Sequence, residues 1–301
     1  MTSASSNLPN IVALSPKDWA DYELIDSGDG TKLERFGQYT LVRPEKRALW
    51  KRTLSDDRWL DVDAIFQLTG GKGAWVRKRP IPDQWLMQYK STIFLAKLTH
   101  FRHTGVFPEQ APLWDWMEEQ IRLSSEPTKI LNLFAYTGIA SLVAASAGAS
   151  VTHVDASGPS LDWARENATA AGLTDRQIRW ILDDALKFLK REYKRGQKYD
   201  GIVLNPPSFG RGPKGEIWRL EESLSKLLEA SRDILHDRAV FMLISINDIS
   251  DSSLALFNLL TDLLGSREGK INVGELVLRD RAKDKPMSLG IFGSWSNRDS
   301  V

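Results

Sequence analysis

The stretch Lys129-Ile-Leu-Asn-Leu-Phe-Ala-Tyr-Thr-Gly138 decides the fold. Ile130, Leu131 and Leu133 form a short apolar run that breaks at Ala135 and Gly138, and an alanine-rich helical segment, Ile139 to Gly148, follows. A strand, a turn and a helix in that order bring backbone N–H groups and a helix N-terminus to the strand's end, with a glycine allowing close approach of a ligand. Two further strand ends belong to the same pattern. Val151-Thr-His-Val-Asp155 places an acidic residue seventeen positions after Gly138, about the spacing at which a carboxylate receives ribose hydroxyls in a Rossmann-like unit. Asn205-Pro-Pro-Ser-Phe209 ends another apolar run. Each signal is weak alone, whereas the ordered set outlines a nucleotide-type cleft with a reaction edge.

Outward from this core, strand and helix alternate. Strands are predicted at Lys129–Phe134, Ser150–Asp155, Ile178–Leu182, Gly201–Leu204 and Ala239–Ile244, with helices at Ile139–Ala147, Pro159–Ala171, Leu186–Tyr193 and Leu220–Leu235. Such alternation predicts an α/β fold with a parallel sheet covered on both faces. After a helix at Ser253–Leu264, the runs Asn272–Leu278 and Met287–Trp295 flank a short charged linker and are expected to pair antiparallel. The region before this fold reads differently. Tyr39–Arg43, Ala64–Leu68 and Ala74–Arg77 are short extended runs cut by Pro44, Gly70-Gly71 and Pro80, and Thr92–Leu98 is a further strand. Turn residues at that frequency predict a small β-rich domain. The expected organisation is a flexible tail over residues 1–20, a β-rich domain over 21–107 and the α/β domain over 108–301.

The composition narrows the chemistry. The chain of 301 residues has no cysteine, which excludes disulfides, thiolate metal sites and thiol catalysis. No apolar run is long enough to cross a bilayer, and the Ser-rich start has neither the basic nor the apolar part of a signal peptide, so a cytoplasmic protein is expected. The net charge is only +1, but from Thr31 to Lys90 thirteen Lys/Arg stand against seven Asp/Glu, interleaved with Trp50, Trp59, Trp75 and Trp85. Cations that neutralise phosphate and rings that stack on bases suit a nucleic-acid surface; tryptophans in a β core beneath a solvated face are the other reading. His100, His103 and Glu109 lack a fourth ligand, so no metal is expected. Gly210-Arg-Gly-Pro-Lys-Gly215 reads either as a mobile lid able to meet phosphate or as a surface connection, with Trp218 and Arg219 beginning the next helix.

Phe134-Ala-Tyr-Thr-Gly138, Val154-Asp155-Ala-Ser157, Asp183-Asp184-Ala185 and Asn205-Pro-Pro-Ser-Phe209 resemble the motifs of class I S-adenosylmethionine-dependent methyltransferases. More narrowly, they are similar to the bacterial enzymes that methylate large-subunit ribosomal RNA on cytosine C5 or guanine N7. The resemblance covers roughly Lys97 to Trp295. It implies a Rossmann-like seven-stranded sheet, five parallel strands plus the antiparallel hairpin. It also implies S-adenosylmethionine as cofactor and RNA as partner.

Within the resemblance, Phe134, Ala135, Tyr136, Thr137 and Gly138 face the cofactor, with Ala135–Gly138 against its methionine part. Asp155, followed by Ala156 and Ser157, takes the ribose, unless it caps the next helix. Asp184, before Ala185, takes the adenine amino group, unless it too is a cap. His103-Thr-Gly-Val-Phe-Pro-Glu-Gln110 is similar to a family stretch that lies against the cofactor, and Gln110 carries over.

At the reaction edge, Pro206 and Pro207 fix the backbone so that Asn205 accepts from the acceptor group, and Phe209 stacks on a flipped base. Asn205 stands where the relatives usually have Asp; it keeps an acceptor but cannot act as a base. Methylation of cytosine C5 requires covalent attack by a thiolate, and the absence of cysteine rejects that route. A nitrogen or oxygen acceptor is therefore favoured, and the resemblance implies a nitrogen acceptor in RNA, ribosomal RNA first. The competing readings are methylation of a protein side-chain amine or amide, and a non-catalytic protein that binds both S-adenosylmethionine and RNA. A dehydrogenase is disfavoured because its Gly-x-Gly-x-x-Gly turn is missing.

Overall fold

Charged residues, not only apolar ones, fill the interior of the N-terminal half. The computed structural model describes residues 8–69, 72–174, 178–247 and 252–298. After β1 (Ile11–Leu14), the strands β2 (Tyr22–Gly28), β3 (Thr31–Phe36), β4 (Tyr39–Pro44), β5 (Ala64–Thr69) and β6 (Lys72–Arg77) form one sheet in sequence order, with α1 (Asp56–Leu60) between β4 and β5. Neighbours run antiparallel except β4 and β5, which α1 allows to pair parallel. β7 (Gln84–Tyr89) and β8 (Thr92–Lys97) make a separate two-stranded ribbon. On β3, Lys32 and Glu34 are buried together with Leu33 and Phe36, so the strand shows no clean apolar alternation.

A 3-10 turn at Pro108–Gln110 and α2 (Ala111–Arg122) lead into the main fold. There follow β9 (Lys129–Leu133), α3 (Ile139–Ser146), β10 (Ser150–Asp155), α4 (Gly158–Ala170), β11 (Ile178–Leu182) and α5 (Ala185–Lys194). Then come β12 (Gly201–Leu204), the hairpin β13 (Phe209–Arg211) and β14 (Ile217–Arg219), and α6 (Leu220–Arg232). β15 (Phe241–Asn247), α7 (Ser253–Leu264), β16 (Lys270–Arg279) and β17 (Pro286–Ser296) complete the chain.

The large sheet has the order β1-β16-β17-β15-β12-β9-β10-β11. β11, β10, β9, β12 and β15 are parallel, and β17 runs antiparallel to both β15 and β16, giving the expected five parallel strands and terminal hairpin. The pleat sends alternate side chains to opposite layers. On β15, Phe241 and Leu243 pack with α2 residues Trp114 and Met117, whereas Met242, Ile244 and Ile246 join α6 and α7 through Leu227, Leu256 and Leu260.

Two expectations are corrected. The tail reading fails for part of residues 1–20: Ile11–Leu14 pairs parallel with β16 as an eighth strand, and Trp19 is buried against Tyr89 and Trp114. Close approach is possible because Gly274 faces Val12; a Cβ there would overlap the Val12 carbonyl. The Gly210–Gly215 segment belongs to a β-hairpin, its first two residues on β13 and the rest in the turn, and Trp218 and Arg219 lie on the second strand, immediately before the helix. The β-rich N-terminal sheet is present as expected, and Trp19, Tyr22, Phe36 and Trp85 join one continuous apolar cluster with Trp114, Met117 and Ile121 of α2, so it packs on the α/β fold through a shared core.

Candidate active site

Sheet order reverses beside β9: the chain moves outward through β10 and β11, then returns to place β12 on the other side. In such sheets the crevice at the strands' carboxyl ends, where the order reverses, is the natural ligand site. The turn after β9 and the loop after β12 border it, and the Asn205 amide donates to the Leu133 carbonyl at 3.3 Å.

The turn after β9 is unusual. Phe134 and Tyr136 both have left-handed backbone, with φ of 55° and 50°, and Gly138 follows at 84°. Bulky residues seldom adopt this region, at a cost of about 1–3 kcal/mol each. Neighbouring groups hold them there. The Ala135 amide donates to the Val154 carbonyl and the Tyr136 amide to the Asp155 carboxylate, at 3.1 and 2.7 Å. Thr137 Oγ1 donates to the Gly105 carbonyl at 2.6 Å, and Asn167 donates to the Thr137 carbonyl. Thr137 and Gly138 therefore serve the turn itself. A Cβ at Gly138 would lie 3.0 Å from Ala164, so the glycine packs the turn onto α4 and does not line the cleft. Phe134 and Tyr136 line the large cleft, and Ala135 and Thr137 line a smaller cavity beneath the turn.

Asp155 is the hub of this region. Its carboxylate accepts from the amides of Tyr136 and Ser157 at 2.7 and 2.8 Å, and its carbonyl accepts from the Asp183 amide. Burial raises its pKa above the ordinary aspartate value, while the amides of Ser157, Tyr136 and Ala156 act against that rise. It does not cap α4. Ser157 does, accepting from the Ser160 amide. Asp184 does cap α5, through the Lys187 amide at 2.9 Å, and it lines the same cleft with Ala156, Ser157, Asp183 and Ala185. Asp183 is engaged by Arg191 and by the Asp184 amide.

At the other side, Asn205 Oδ1 accepts from Ser245 Oγ at 3.4 Å, and Asn205, Pro206, Pro207 and Ser208 line the cleft. Phe209 does not. It lies 54 % exposed on β13, outside the lining. The aromatic residue in its place is Trp218, which sequence reasoning assigned to a helix. Its indole donates to the Pro207 carbonyl at 2.7 Å, and its ring packs on Phe134 with centroids 4.8 Å apart. Pairing of β13 with β14 folds Trp218 back over the loop, a contact with no local sequence signal.

The cleft holds about 550 Å³ and its far wall comes from the N-terminal half: Lys32, Arg43, Glu45 and Arg47, with Arg102 and Glu109 from the connecting segment. Beneath the turn lies a cavity of about 40 Å³ lined by Gln110, Asn132, Ala135 and Asn205. Gln110 Nε2 is buried there with no hydrogen-bond partner. An orphaned buried donor costs about 1–3 kcal/mol, which a ligand acceptor would relieve. Asp155 offers acceptors for hydroxyls, the left-handed turn brings backbone close, and the cleft volume is of the size that takes a nucleoside-containing ligand. The residues fit S-adenosylmethionine.

Comparison with known proteins agrees. A family model described as S-adenosylmethionine-dependent methyltransferase matches residues 52–253. A solved S-adenosylmethionine-dependent methyltransferase from Agrobacterium tumefaciens is 42 % identical, with a TM-score of 0.92 over 95 % of this chain and 94 % of that one. Ribosomal RNA large subunit methyltransferase K of Neisseria meningitidis is 26 % identical over 225 residues, 69 % of this chain and 60 % of that protein. The K/L enzyme of Syntrophotalea carbinolica is 32 % identical over 166 residues, 55 % of this chain but 20 % of its own length. The chain thus spans less than two thirds of these two relatives. A methyltransferase solved with SAH, 18 % identical, shares the fold with a TM-score of 0.73. The chain belongs to the S-adenosylmethionine-dependent methyltransferases, and S-adenosylmethionine is its cofactor.

Proposed function

We propose that this chain transfers the methyl group of S-adenosylmethionine to a ring nitrogen of an RNA base, ribosomal RNA being the substrate. One observation carries the reading: the rigid Asn205-Pro-Pro turn stands at the cleft's edge, one strand away from the turn that Asp155 organises. In this assignment Asp155 holds the ribose, Ala156, Ser157, Asp184 and Ala185 surround the adenine, and Phe134, Ala135, Tyr136 and Gln110 face the methionine part. Thr137 and Gly138 fix the turn. Asn205 orients the acceptor so that its nitrogen lone pair attacks the methyl carbon as the carbon–sulfur bond breaks and S-adenosylhomocysteine leaves. Trp218 takes the stacking role first expected of Phe209.

The RNA substrate rests on the relatives named as ribosomal RNA methyltransferases and on the cationic rim formed by Arg47, Arg102 and Arg211. The β-rich region, residues 21–107, supplies one wall of the site, and the reaction belongs in the cytoplasm. With no cysteine in the chain, the thiolate route to cytosine C5 is closed. Mass spectrometry of ribosomal RNA nucleosides and ribosomal proteins, with and without the protein, tests the substrate. A methyl missing from protein alone would move the acceptor to a side-chain amine or amide.

Asn205→Ala is expected to lower kcat about 100-fold, the usual cost of misaligning reactants, while the Kd for S-adenosylmethionine changes less than about threefold. Equal losses in both would place Asn205 in the cofactor site or in folding.

A further inference from the structure

The cleft also contains a set of polar groups to which the cofactor assignment above gives no role. Glu109 is 4 % exposed and lines the cleft. One of its oxygens accepts from Asn247 Nδ2 at 2.8 Å, while Asn247 Oδ1 is buried with no partner. Across from them, Lys32 on β3 lines the same cleft and is 7 % exposed, its ammonium 3.4 and 4.0 Å from the carboxylates of Glu34 and Glu45. Burial pushes the pKa of Glu109 up and that of Lys32 down, each countering the shift of the other, and both side chains line the same cleft.

Their distance from the reaction edge follows from strand geometry. Ser245 contacts Asn205 and Asn247 contacts Glu109. Ser245 and Asn247 are alternate residues of β15, so they project from the same face of the sheet, about 7 Å apart at a rise of about 3.4 Å per residue. Asn205 and Glu109 thus border the cleft beside neighbouring same-face positions of β15, where a single base can be presented to both.

We propose that Glu109, Asn247 and Lys32 form the acceptor-reading site, taking a base that presents a carbonyl beside a ring N–H. This rests on the RNA reading above and deepens it. The Glu109 carboxylate accepts the ring N–H, Lys32 donates to the carbonyl, and Asn247 Oδ1 accepts from an adjacent amino group where one exists. Guanine offers all three features and uracil the first two. Adenine and cytosine present a ring acceptor beside the amino group, so they would leave Lys32 without a carbonyl at that position and set a lone pair against the carboxylate. A mismatch between buried polar groups and ligand discriminates strongly, because the unmet group stays desolvated. The β-rich half thereby selects the base, through a residue on β3, instead of only gripping phosphate.

Calorimetric titration of the full chain, saturated with S-adenosylhomocysteine, with the 5′-monophosphates of guanosine, uridine, adenosine and cytidine tests this. GMP is expected to bind at least about tenfold tighter than AMP or CMP, the effect of one charge-assisted hydrogen bond, with UMP between. Glu109→Gln should weaken the preference for GMP over AMP and CMP at least about threefold, Lys32 still favouring the carbonyl bases, while leaving S-adenosylhomocysteine affinity unchanged, which also shows that the variant is folded. Lys32→Met, checked in the same way, should remove the preference for the two carbonyl bases. AMP or CMP binding as tightly as GMP overturns the proposal, as does a preference that Glu109→Gln leaves undiminished. A parallel loss of S-adenosylhomocysteine affinity in Glu109→Gln overturns it too, by turning the carboxylate toward the cofactor's ammonium. Failure of the RNA reading shows elsewhere, as unaltered ribosomal RNA nucleosides.

Discussion

Alanine in place of Asp155 is expected to raise the Kd for S-adenosylmethionine about 100-fold or more. Two contributions add. The variant loses the acceptors proposed for the ribose hydroxyls, each charge-assisted bond being worth about 1.5–3 kcal/mol. It also strips the Tyr136 and Ser157 amides of the acceptor that holds them at 2.7 and 2.8 Å. Tyr136 has left-handed backbone, and without that bond the turn is free to relax away from the conformation that lines the cleft. Asp155→Asn keeps one acceptor oxygen and should lose less. Calorimetry decides the matter, and a change below threefold for the alanine variant would remove Asp155 from the cofactor site.

The same residue sets a pH dependence. Burial raises the Asp155 pKa, so protonation begins at a higher pH than for an exposed aspartate. The ionised form accepts from the hydroxyls, hence cofactor affinity should fall as pH drops through this raised value. For stability the sign is opposite. An acid whose folded pKa exceeds its unfolded value binds its proton more tightly when folded, so Asp155 by itself favours the folded state on acidification.

The large sheet was legible for a physical reason. Parallel strands covered on both faces are continuous apolar runs, and each stops where turn residues begin. Lys129-Ile-Leu-Asn-Leu133 and Gly201-Ile-Val-Leu204 have that form, and the residues that follow them, Phe134 and Asn205, share one cleft with Asp155 at the end of β10. What stayed hidden depends on contacts between distant segments. β1 exists because Gly274, far along the chain, leaves room for it. Thr31-Lys-Leu-Glu-Arg-Phe36 conceals its strand because Lys32 and Glu34 point inward, against the rule that charges face water. Trp218 reaches the Pro207 carbonyl only once β13 and β14 pair. In the site, Gly138 belongs to the motif yet does not line the cleft, and Thr137 commits its hydroxyl to the Gly105 carbonyl, a distinction that spacing along the chain does not contain.

Those inward charges carry the second large effect. Glu34 is fully buried, receives two hydrogen bonds from Arg43 at 2.7 and 2.8 Å, and accepts from Tyr22 at 2.8 Å. Burial alone would raise its pKa, but Arg43 and Lys32 outweigh that and hold it at about 2. Glu34→Ala leaves the Arg43 guanidinium and the Lys32 ammonium buried with their main counter-charge gone. Breaking one partner of a buried pair costs about 3–5 kcal/mol, and that is the loss expected at pH 7. Urea denaturation should show it as a lower midpoint with unchanged slope. The wild-type protein should lose the same stabilisation on acidification. A carboxylate with a depressed folded pKa contributes fully above its unfolded value near 4.5 and loses that contribution as pH falls toward 2. Glu34→Ala should therefore show a weaker dependence of stability on pH across this window. Replacing Glu34 and Arg43 together by apolar residues of similar volume should cost less than Glu34→Ala alone, because no unpaired guanidinium remains. A single-variant loss below about 1 kcal/mol would mean that water reaches the cluster and screens it. Lys32 and Arg43 would then be held in the cleft wall by packing, and the base-reading geometry would no longer depend on Glu34.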